Sequence, residues 1–285
     1  MDGGPLFLSK CDTGGISLKR AYTDIPEGQM HYRFSGTGSN VIIFLHMSGS
    51  SSDEFELVGE KLAQSGFYVY APDLLGFGSS DAPPRYYTLS DHANTVLSFM
   101  EQLGIQKAIL YGNLATANMI VHLGVNYPEH IAGLILAHPL YAPDPVQYAQ
   151  KRNLPEYSVV TPKEDGSHLL ELWSRCFKYG ENADICDARC RCLHSAGILG
   201  ETLHWALFED TPLIEMLPRL SVPTLTLAYG CFRNPEALVE TAKAYIANGV
   251  VEAIPAPVGT PYIARSHPEL LSEIILRHWS SGALL

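Results

Sequence analysis

The 285-residue chain contains a short run of cysteines, residues whose type and spacing could do chemistry. Cys186, Cys190, Cys192 and His194 place four potential metal ligands within nine residues. Their spacing, Cys-x-x-x-Cys-x-Cys-x-His, does not match the standard zinc patterns. In a helix, Cys186 and Cys190 share a face that Cys192 does not. We therefore expect ordinary packing, with no metal and no cofactor, and keep a metal site and a labile disulfide as alternatives.

A single histidine is the second feature of this kind. His138 directly follows an apolar run at 133–137 that predicts a strand, so it stands at the carboxyl end of that strand. Imidazole can donate or accept a proton near neutral pH. His138 is therefore a candidate catalytic acid or base, and the alternative is a hydrogen-bonded residue that ends the strand.

The elements that must position such groups alternate along the chain. Apolar or alternating runs predict strands at 29–34, 41–45, 68–71, 108–111, 133–137, 224–229 and 250–254. Helical spacing predicts helices at 53–65, 89–103, 115–126 and 267–279. This alternation indicates an α/β fold with a mostly parallel central sheet and helices on both faces. The carboxyl ends of such strands share one edge, where ligands bind.

Residues 140–215 interrupt this alternation. They contain several prolines and then helical stretches such as 169–176, after which the strand pattern resumes. We predict a helical cap at 140–215, inserted into a core formed by residues 1–139 and 216–285.

Composition and charge narrow the function further. The formal net charge is −11, which disfavours a nucleic-acid partner. No stretch approaches the roughly 18 apolar residues of a membrane helix, and the first residues do not resemble a secretory signal. We expect a cytoplasmic protein with a small-molecule substrate and no membrane span, and leave the oligomeric state open, with a homodimer as one alternative.

Four segments resemble motifs of the α/β-hydrolase family, in its capped, single-domain branch. They are Phe-Leu-His-Met-Ser-Gly at 44–49, Asp-Leu-Leu-Gly-Phe-Gly-Ser-Ser-Asp at 73–81, Tyr-Gly-Asn-Leu-Ala-Thr-Ala at 111–117 and Pro-Glu-His-Ile-Ala-Gly-Leu-Ile-Leu at 128–136. The second is the most specific of the four. The resemblance covers about 20–280 and implies the α/β-hydrolase fold.

The positions that carry the family's Ser–His–Asp triad hold other residues. Leu114 stands at the nucleophile elbow, normally Gly-x-Ser-x-Gly, and Thr116 replaces its second glycine. No acidic residue occurs at 230–235, and Thr260 takes the histidine position, with His267 seven residues further on. Because leucine has no nucleophilic atom, an acyl-enzyme cannot form at the elbow.

The resemblance also implies which residues line the cavity between sheet and cap. We predict catalytic roles for His46, Asn113, His138 and Tyr262. The predicted substrate-binding residues are Met47, Ser48, Leu114, Ala115, Tyr141 and Thr260. The N–H groups of Met47 or Ser48 and of Ala115 are expected to polarise a carbonyl without a nucleophile at Leu114. The alternative for each side chain is a structural contact or a passive wall.

Three functions remain open on these grounds. The first is a cofactor-free cyclase, lyase or isomerase, in natural-product biosynthesis, that folds a largely apolar substrate in its pocket. The second is a non-catalytic ligand-binding or scaffold protein. The third is a hydrolase with a relocated triad, which needs Ser48, Ser50, Ser51 or Cys231 near His46, His138 or His267. We expect the first.

Overall fold

The computed structural model describes residues 18–140, 159–177, 182–209, 213–230, 234–255 and 261–279. Within this part of the chain, eight strands form one sheet. In chain order they are β1 (Lys19–Ile25), β2 (Gly28–Ser35), β3 (Asn40–Leu45), β4 (Phe67–Pro72), β5 (Ala108–Asn113), β6 (Ile131–Ala137), β7 (Thr224–Tyr229) and β8 (Gly249–Ile254).

The sheet has the order β1-β2-β4-β3-β5-β6-β7-β8. Strand β2 runs antiparallel to β1 and β4, and every later pair is parallel. The central strand β5 is buried along its whole length, because neighbouring strands cover its edges and helices cover its faces. The predicted α/β-hydrolase fold with a mostly parallel sheet is confirmed.

The helices of the core follow the predicted alternation. They are α1 (Glu56–Gln64), α2 (Leu89–Gln102) and α3 (Ala115–Asn126). A 3-10 turn at Ser52–Phe55 precedes α1, so the predicted helix at 53–65 is two elements. Thr88 caps α2, since its hydroxyl accepts the Asp91 N–H and the Asp91 carboxylate accepts the Thr88 N–H.

Between β6 and β7 the described chain is helical. It contains α4 (Ser167–Phe177), α5 (Ala183–Ala196), a 3-10 turn at Gly197–Glu201, α6 (Thr202–Glu209) and α7 (Leu213–Met216). After β7 follow α8 (Pro235–Tyr245), α9 (Ile263–Ser266) and α10 (Pro268–Trp279). Helices α4 to α6 lie where the cap is predicted, α7 spans its predicted end, and the cap boundaries at 140 and 215 stay a prediction.

The cysteine run lies on α5 and packs against α4. Cys186 and Cys176 are buried with Leu172 in a small apolar cluster, and Cys190 packs beside them. Within the described ranges, no disulfide joins Cys176, Cys186, Cys190 and Cys192, and no group of three His, Cys, Asp or Glu side chains is arranged to hold a metal ion. Of the helices described, none is long and apolar enough to span a membrane.

Candidate active site

The sharp turn between β5 and α3 is built as a nucleophile elbow. Leu114 adopts φ 54° and ψ −112°, a backbone conformation that favours glycine. Gly112 is required before it, because a Cβ there would lie 2.4 Å from the Thr116 carbonyl oxygen. The side chain on this turn is buried leucine, so the elbow keeps its strained backbone and presents an apolar floor.

Thr116 supports this turn through its hydroxyl. Its Oγ1 accepts the Asn113 N–H at 2.8 Å and lies 3.0 Å from the Leu45 carbonyl oxygen, to which it donates. The second elbow glycine of the family is thus replaced by a side chain that joins β5 to the end of β3. Sequence reasoning missed this role, because it depends on a contact between distant segments.

His46 is held by the backbone on both sides of its ring. Nε2 accepts the Leu74 N–H at 3.0 Å, so Nδ1 carries the proton and donates to the Met47 carbonyl at 2.9 Å. Burial lowers the pKa of His46, despite the opposing charge of Asp73, and so favours the neutral ring. Its catalytic role stays a prediction, and these contacts describe a residue that shapes the loop.

His138 and Asn113 lie at the carboxyl ends of β6 and β5, near the end of β7. His138 adopts φ 47°, its Nδ1 accepts the Tyr229 N–H at 3.1 Å, and its ring stacks on that of Tyr229 at 5.2 Å. The Asn113 amide donates to the Pro261 carbonyl, and its Oδ1 lies 3.5 Å from the Tyr229 hydroxyl. The structure therefore brings both predicted residues together around Tyr229, with Asn113 anchoring the segment that leads to Tyr262.

The other predicted site residues divide into two groups. Met47, Ser48, Ala115 and Tyr262 are buried around the elbow and its neighbouring loops. Tyr141 and Thr260 lie outside the described residues, as does Cys231, so the predictions made for them stand untested. The loss of a catalytic acid and histidine at 231–233 and 260 likewise stays a prediction.

Glu54 is a functional candidate that sequence reasoning did not identify. It lies on the 3-10 turn before α1, is 1% exposed, and neither carboxyl oxygen completes a hydrogen bond within the described structure. Burial raises the pKa of Glu54 to about 7, while the nearby Ser50 hydroxyl, the Arg265 guanidinium and the Asn113 amide act in the opposite direction. A carboxyl group with this pKa can accept a proton at neutral pH.

The sequence contained a signal for this burial. Glu54 is four residues before Val58 and eight before Leu62, so in a helix it would share their core-facing side. An acidic residue on an apolar helical face is expected to be either paired or functional.

The loop between β3 and Glu54, residues 48–52, is here called the serine loop. The Ser48 hydroxyl donates to the Gly200 carbonyl at 2.9 Å, which joins this loop to the cap. The Ser51 hydroxyl donates to Asp53 at 2.7 Å and accepts a 3.4 Å contact from the Cys192 thiol. Ser50 is also buried, and its hydroxyl is close enough to the Glu54 carboxyl to oppose the rise in its pKa.

Arg265 closes the other side of this region. Its guanidinium lies 2.9 Å from Asp53 Oδ2, so the Asp53 carboxylate is shared between an arginine and the Ser51 hydroxyl. The Glu54 carboxyl lacks such a charge-assisted bond. Of the two neighbouring acids, Glu54 is therefore the one available to act as a base.

Comparisons with known proteins agree with this architecture. Residues 40–164 match a family model described as alpha/beta hydrolase fold. A "putative non-heme haloperoxidase" from Mycobacterium phage D29 is 31% identical over 205 residues, which are 67% of this chain and 71% of that protein.

A second relative and a solved structure point the same way. A "2-hydroxy-6-oxononadienedioate/2-hydroxy-6-oxononatrienedioate hydrolase" from Burkholderia vietnamiensis is 31% identical over 117 residues, 40% of this chain. The chain spans only 41% of that relative's length. The enol-lactonase from Burkholderia xenovorans LB400 superposes with a TM-score of 0.73 at 16% identity, covering 90% of this chain and 98% of that one.

These comparisons correct the expected function. The expectation of a non-hydrolytic cyclase, lyase or isomerase was wrong, because the two relatives carry the names hydrolase and haloperoxidase and neither is named for such a reaction. The absence of a serine at Leu114 was given too much weight, since it excludes one nucleophile and not hydrolysis itself. On its motifs, its fold and a relative matched over most of its length, the chain belongs to the alpha/beta hydrolase fold family.

Proposed function

We propose that this protein is a hydrolase of a small organic carbonyl compound, such as an ester or lactone, in which Ser50 is the nucleophile and Glu54 the general base. The names of its relatives support hydrolysis as the reaction. The observation that carries the assignment to these residues is the buried Glu54 carboxyl beside the Ser50 hydroxyl.

The geometry of the serine loop favours Ser50 over its neighbours. The Ser48 hydroxyl donates to the Gly200 carbonyl. The Ser51 hydroxyl donates to the Asp53 carboxylate, which also forms an ion pair with Arg265. Ser50 instead lies close to a carboxyl with a pKa of about 7. A base with a pKa near the working pH combines a useful ionised fraction with good proton affinity.

The reaction that follows is an acyl transfer. Ser50 Oγ attacks the carbonyl carbon while its proton passes to Glu54, and the carbonyl oxygen becomes an oxyanion. The N–H groups of Met47 and Ala115 are the candidate donors for that oxyanion; Ala115 begins α3, where first-turn N–H groups lack an intrahelical acceptor. Collapse returns the proton to the leaving alcohol. Water then attacks the acyl-enzyme with Glu54 again as base, releasing the acid and regenerating Ser50.

A fluorophosphonate probe tests the nucleophile directly. We expect covalent labelling of one serine, identified as Ser50 by peptide mass spectrometry, and loss of labelling in Ser50→Ala. Ser51→Ala is the matched control, one residue away and also buried, and should still be labelled. In parallel, wild-type protein should hydrolyse members of a panel of p-nitrophenyl esters and lactones, and Glu54→Gln should lower kcat by about 100-fold or more.

A ligand-binding protein without turnover is the second candidate. It is favoured by the apolar Leu114 side chain at the elbow and by His46, whose ring nitrogens are both engaged by the backbone. The same experiment separates the two. A folded protein that binds panel compounds, leaves them intact and takes up no probe would be a binding protein.

A further inference from the structure

A cavity lies among the helices that follow β6, bordered by α4, α5 and the turn at Gly197–Glu201. Its volume is about 330 Å³, at the low end of the range for small-molecule sites. Of the described residues that line it, none is assigned above to the candidate active site, and Gly200 contacts that site by accepting the Ser48 hydroxyl. The described wall residues take no part in the proposed hydrolysis, so the chemistry of this cavity can be considered independently of that proposal.

The wall combines apolar surface with two imidazoles. Leu172, Leu193 and Ile198 contribute aliphatic side chains, and His168 and His194 face each other with ring centroids 6.1 Å apart. One histidine comes from the start of α4 and the other from the end of α5. The cavity thus has an apolar interior and a pair of hydrogen-bonding rings.

The hydrogen bonding of His168 leaves one ring N–H that can donate to a hydrogen-bond acceptor on a ligand. His168 Nδ1 accepts the Lys163 N–H at 3.1 Å, so the ring proton is on Nε2, which is a donor. An anionic head group would gain a charge-assisted or ordinary hydrogen bond from this donor.

The acidic residue of the wall does not oppose such a ligand strongly. Both Glu201 oxygens are engaged, Oε1 with the Arg175 guanidinium at 3.2 Å and Oε2 with His204 Nδ1 at 2.8 Å. The Glu201 charge is thereby countered within the protein. Arg175 also lines the cavity, so the ion pair that it forms with Glu201 leaves these two wall residues without a net negative charge.

We propose that this cap cavity binds a small carboxylic acid with an apolar body, its carboxylate between His168 and His194 and its body on Leu172, Leu193 and Ile198. Two residues of this wall, Leu193 and Gly200, also contact the serine loop. Leu193 packs on Gly49, where a Cβ would approach Leu193 Cδ2 to 2.8 Å, and Gly200 accepts the Ser48 hydroxyl. A bound acid therefore bears on the cap residues that contact this loop.

Calorimetric titration with sodium hexanoate tests the site, with hexan-1-ol as the probe that keeps the body and lacks the charge. We expect saturable hexanoate binding to the full-length protein and at least tenfold weaker binding of hexan-1-ol. His168→Ala and His194→Ala should each weaken hexanoate binding by roughly tenfold, the usual effect of losing a hydrogen bond to a charged group.

Arg191→Gln is the matched control, because Arg191 is an exposed cation of the same helix that pairs with Asp187 and does not line the cavity. It should bind hexanoate as the wild type does. Equal affinity for hexan-1-ol, unchanged affinity in both histidine variants, or no saturable binding would overturn the proposal. Circular dichroism shows whether each variant is folded. None of these readouts requires hydrolytic activity, so failure of the proposed hydrolysis would not affect them.

Discussion

The Leu114 N–H donates a 3.0 Å hydrogen bond to the carbonyl of Ala137, the last residue of β6. This bond fixes the elbow to the neighbouring strand at the residue whose φ is 54°. A leucine held in this conformation is strained by about 1–3 kcal/mol, which the surrounding sheet must offset. The strain of a nucleophile elbow is thus preserved at a position that has no nucleophile.

Replacing Leu114 separates strain from burial. Leu114→Ala removes buried methyl groups and retains the strain, so we expect a loss of about 2–4 kcal/mol in the free energy of unfolding. Leu114→Gly removes the same groups and also the strain, and should be more stable than Leu114→Ala by about 1–2 kcal/mol. Urea denaturation measures both.

The control is Ala244→Gly, at an exposed position of α8, where glycine should instead be less stable than alanine by about 1 kcal/mol. If glycine were also the less stable residue at 114, the elbow would not be strained.

Glu54 should make stability fall as pH rises towards neutrality. Its pKa is about 7 in the folded state and close to 4.3 when unfolded, so the folded protein binds the extra proton between these values. The stabilisation by this proton is fully present below about pH 4 and is lost as pH rises through 7. It changes the free energy of unfolding by roughly 3 kcal/mol.

Glu54→Gln tests this, because a neutral amide of similar shape has no such titration. The difference in unfolding free energy between wild type and variant, followed from pH 5 to pH 8, should change by roughly 3 kcal/mol in favour of the variant. A difference that stays constant over this range would show that Glu54 titrates normally.

The sequence predicted most of the fold, because buried strands and amphipathic helices leave patterns that depend on neighbouring residues alone. The helix predicted at 115–126 is found as Ala115–Asn126. The strand β1 was missed because it is an edge strand. Its residues Lys19, Arg20 and Asp24 are exposed, and charged edge strands lack the apolar run used to predict the others.

The candidate site was only partly predictable. The elbow and the loop after β3 follow from local motifs, and both lie where they were expected. Glu54, Ser50 and Thr116 gain their meaning from contacts between β3, β5 and α9, which no local pattern specifies. Because most weight fell on Leu114 and on the histidines, the sequence interpretation predicted a non-hydrolytic reaction. It did not consider a carboxyl base outside the family's triad.

Asp73 should make stability depend on pH in acid. Burial alone would raise its pKa, but the His31 hydrogen bond at 2.8 Å, the nearby His46 and the N–H groups of Ser52 and Ser79 lower it to about 2. The stabilisation is therefore present above about pH 4, is lost as pH falls towards 2, and amounts to about 2.5 kcal/mol.

Asp73→Asn should destabilise the protein by at least that amount at pH 7, since three donors lose a charged acceptor. The gap between variant and wild type should narrow as pH falls from 5 to 2.5, measured by guanidinium denaturation. A gap independent of pH would show that the Asp73 charge contributes nothing to stability.

The Ser48–Gly200 hydrogen bond should control how firmly the cap rests on the serine loop. Ser48→Ala leaves the buried Gly200 carbonyl without this donor and should cost about 1 kcal/mol. Because the bond joins two separate elements, its loss should raise local opening of the cap, with backbone amides of α5 and of the turn at Gly197–Glu201 exchanging several-fold faster in hydrogen–deuterium exchange.

The matched control is Ser65→Ala, whose hydroxyl also donates to a backbone carbonyl, that of Lys61, but within its own segment at the end of α1. It should leave exchange in α5 unchanged. Equal exchange of α5 in wild type and Ser48→Ala would show that the packing of Leu193 on Gly49 holds the cap without this bond.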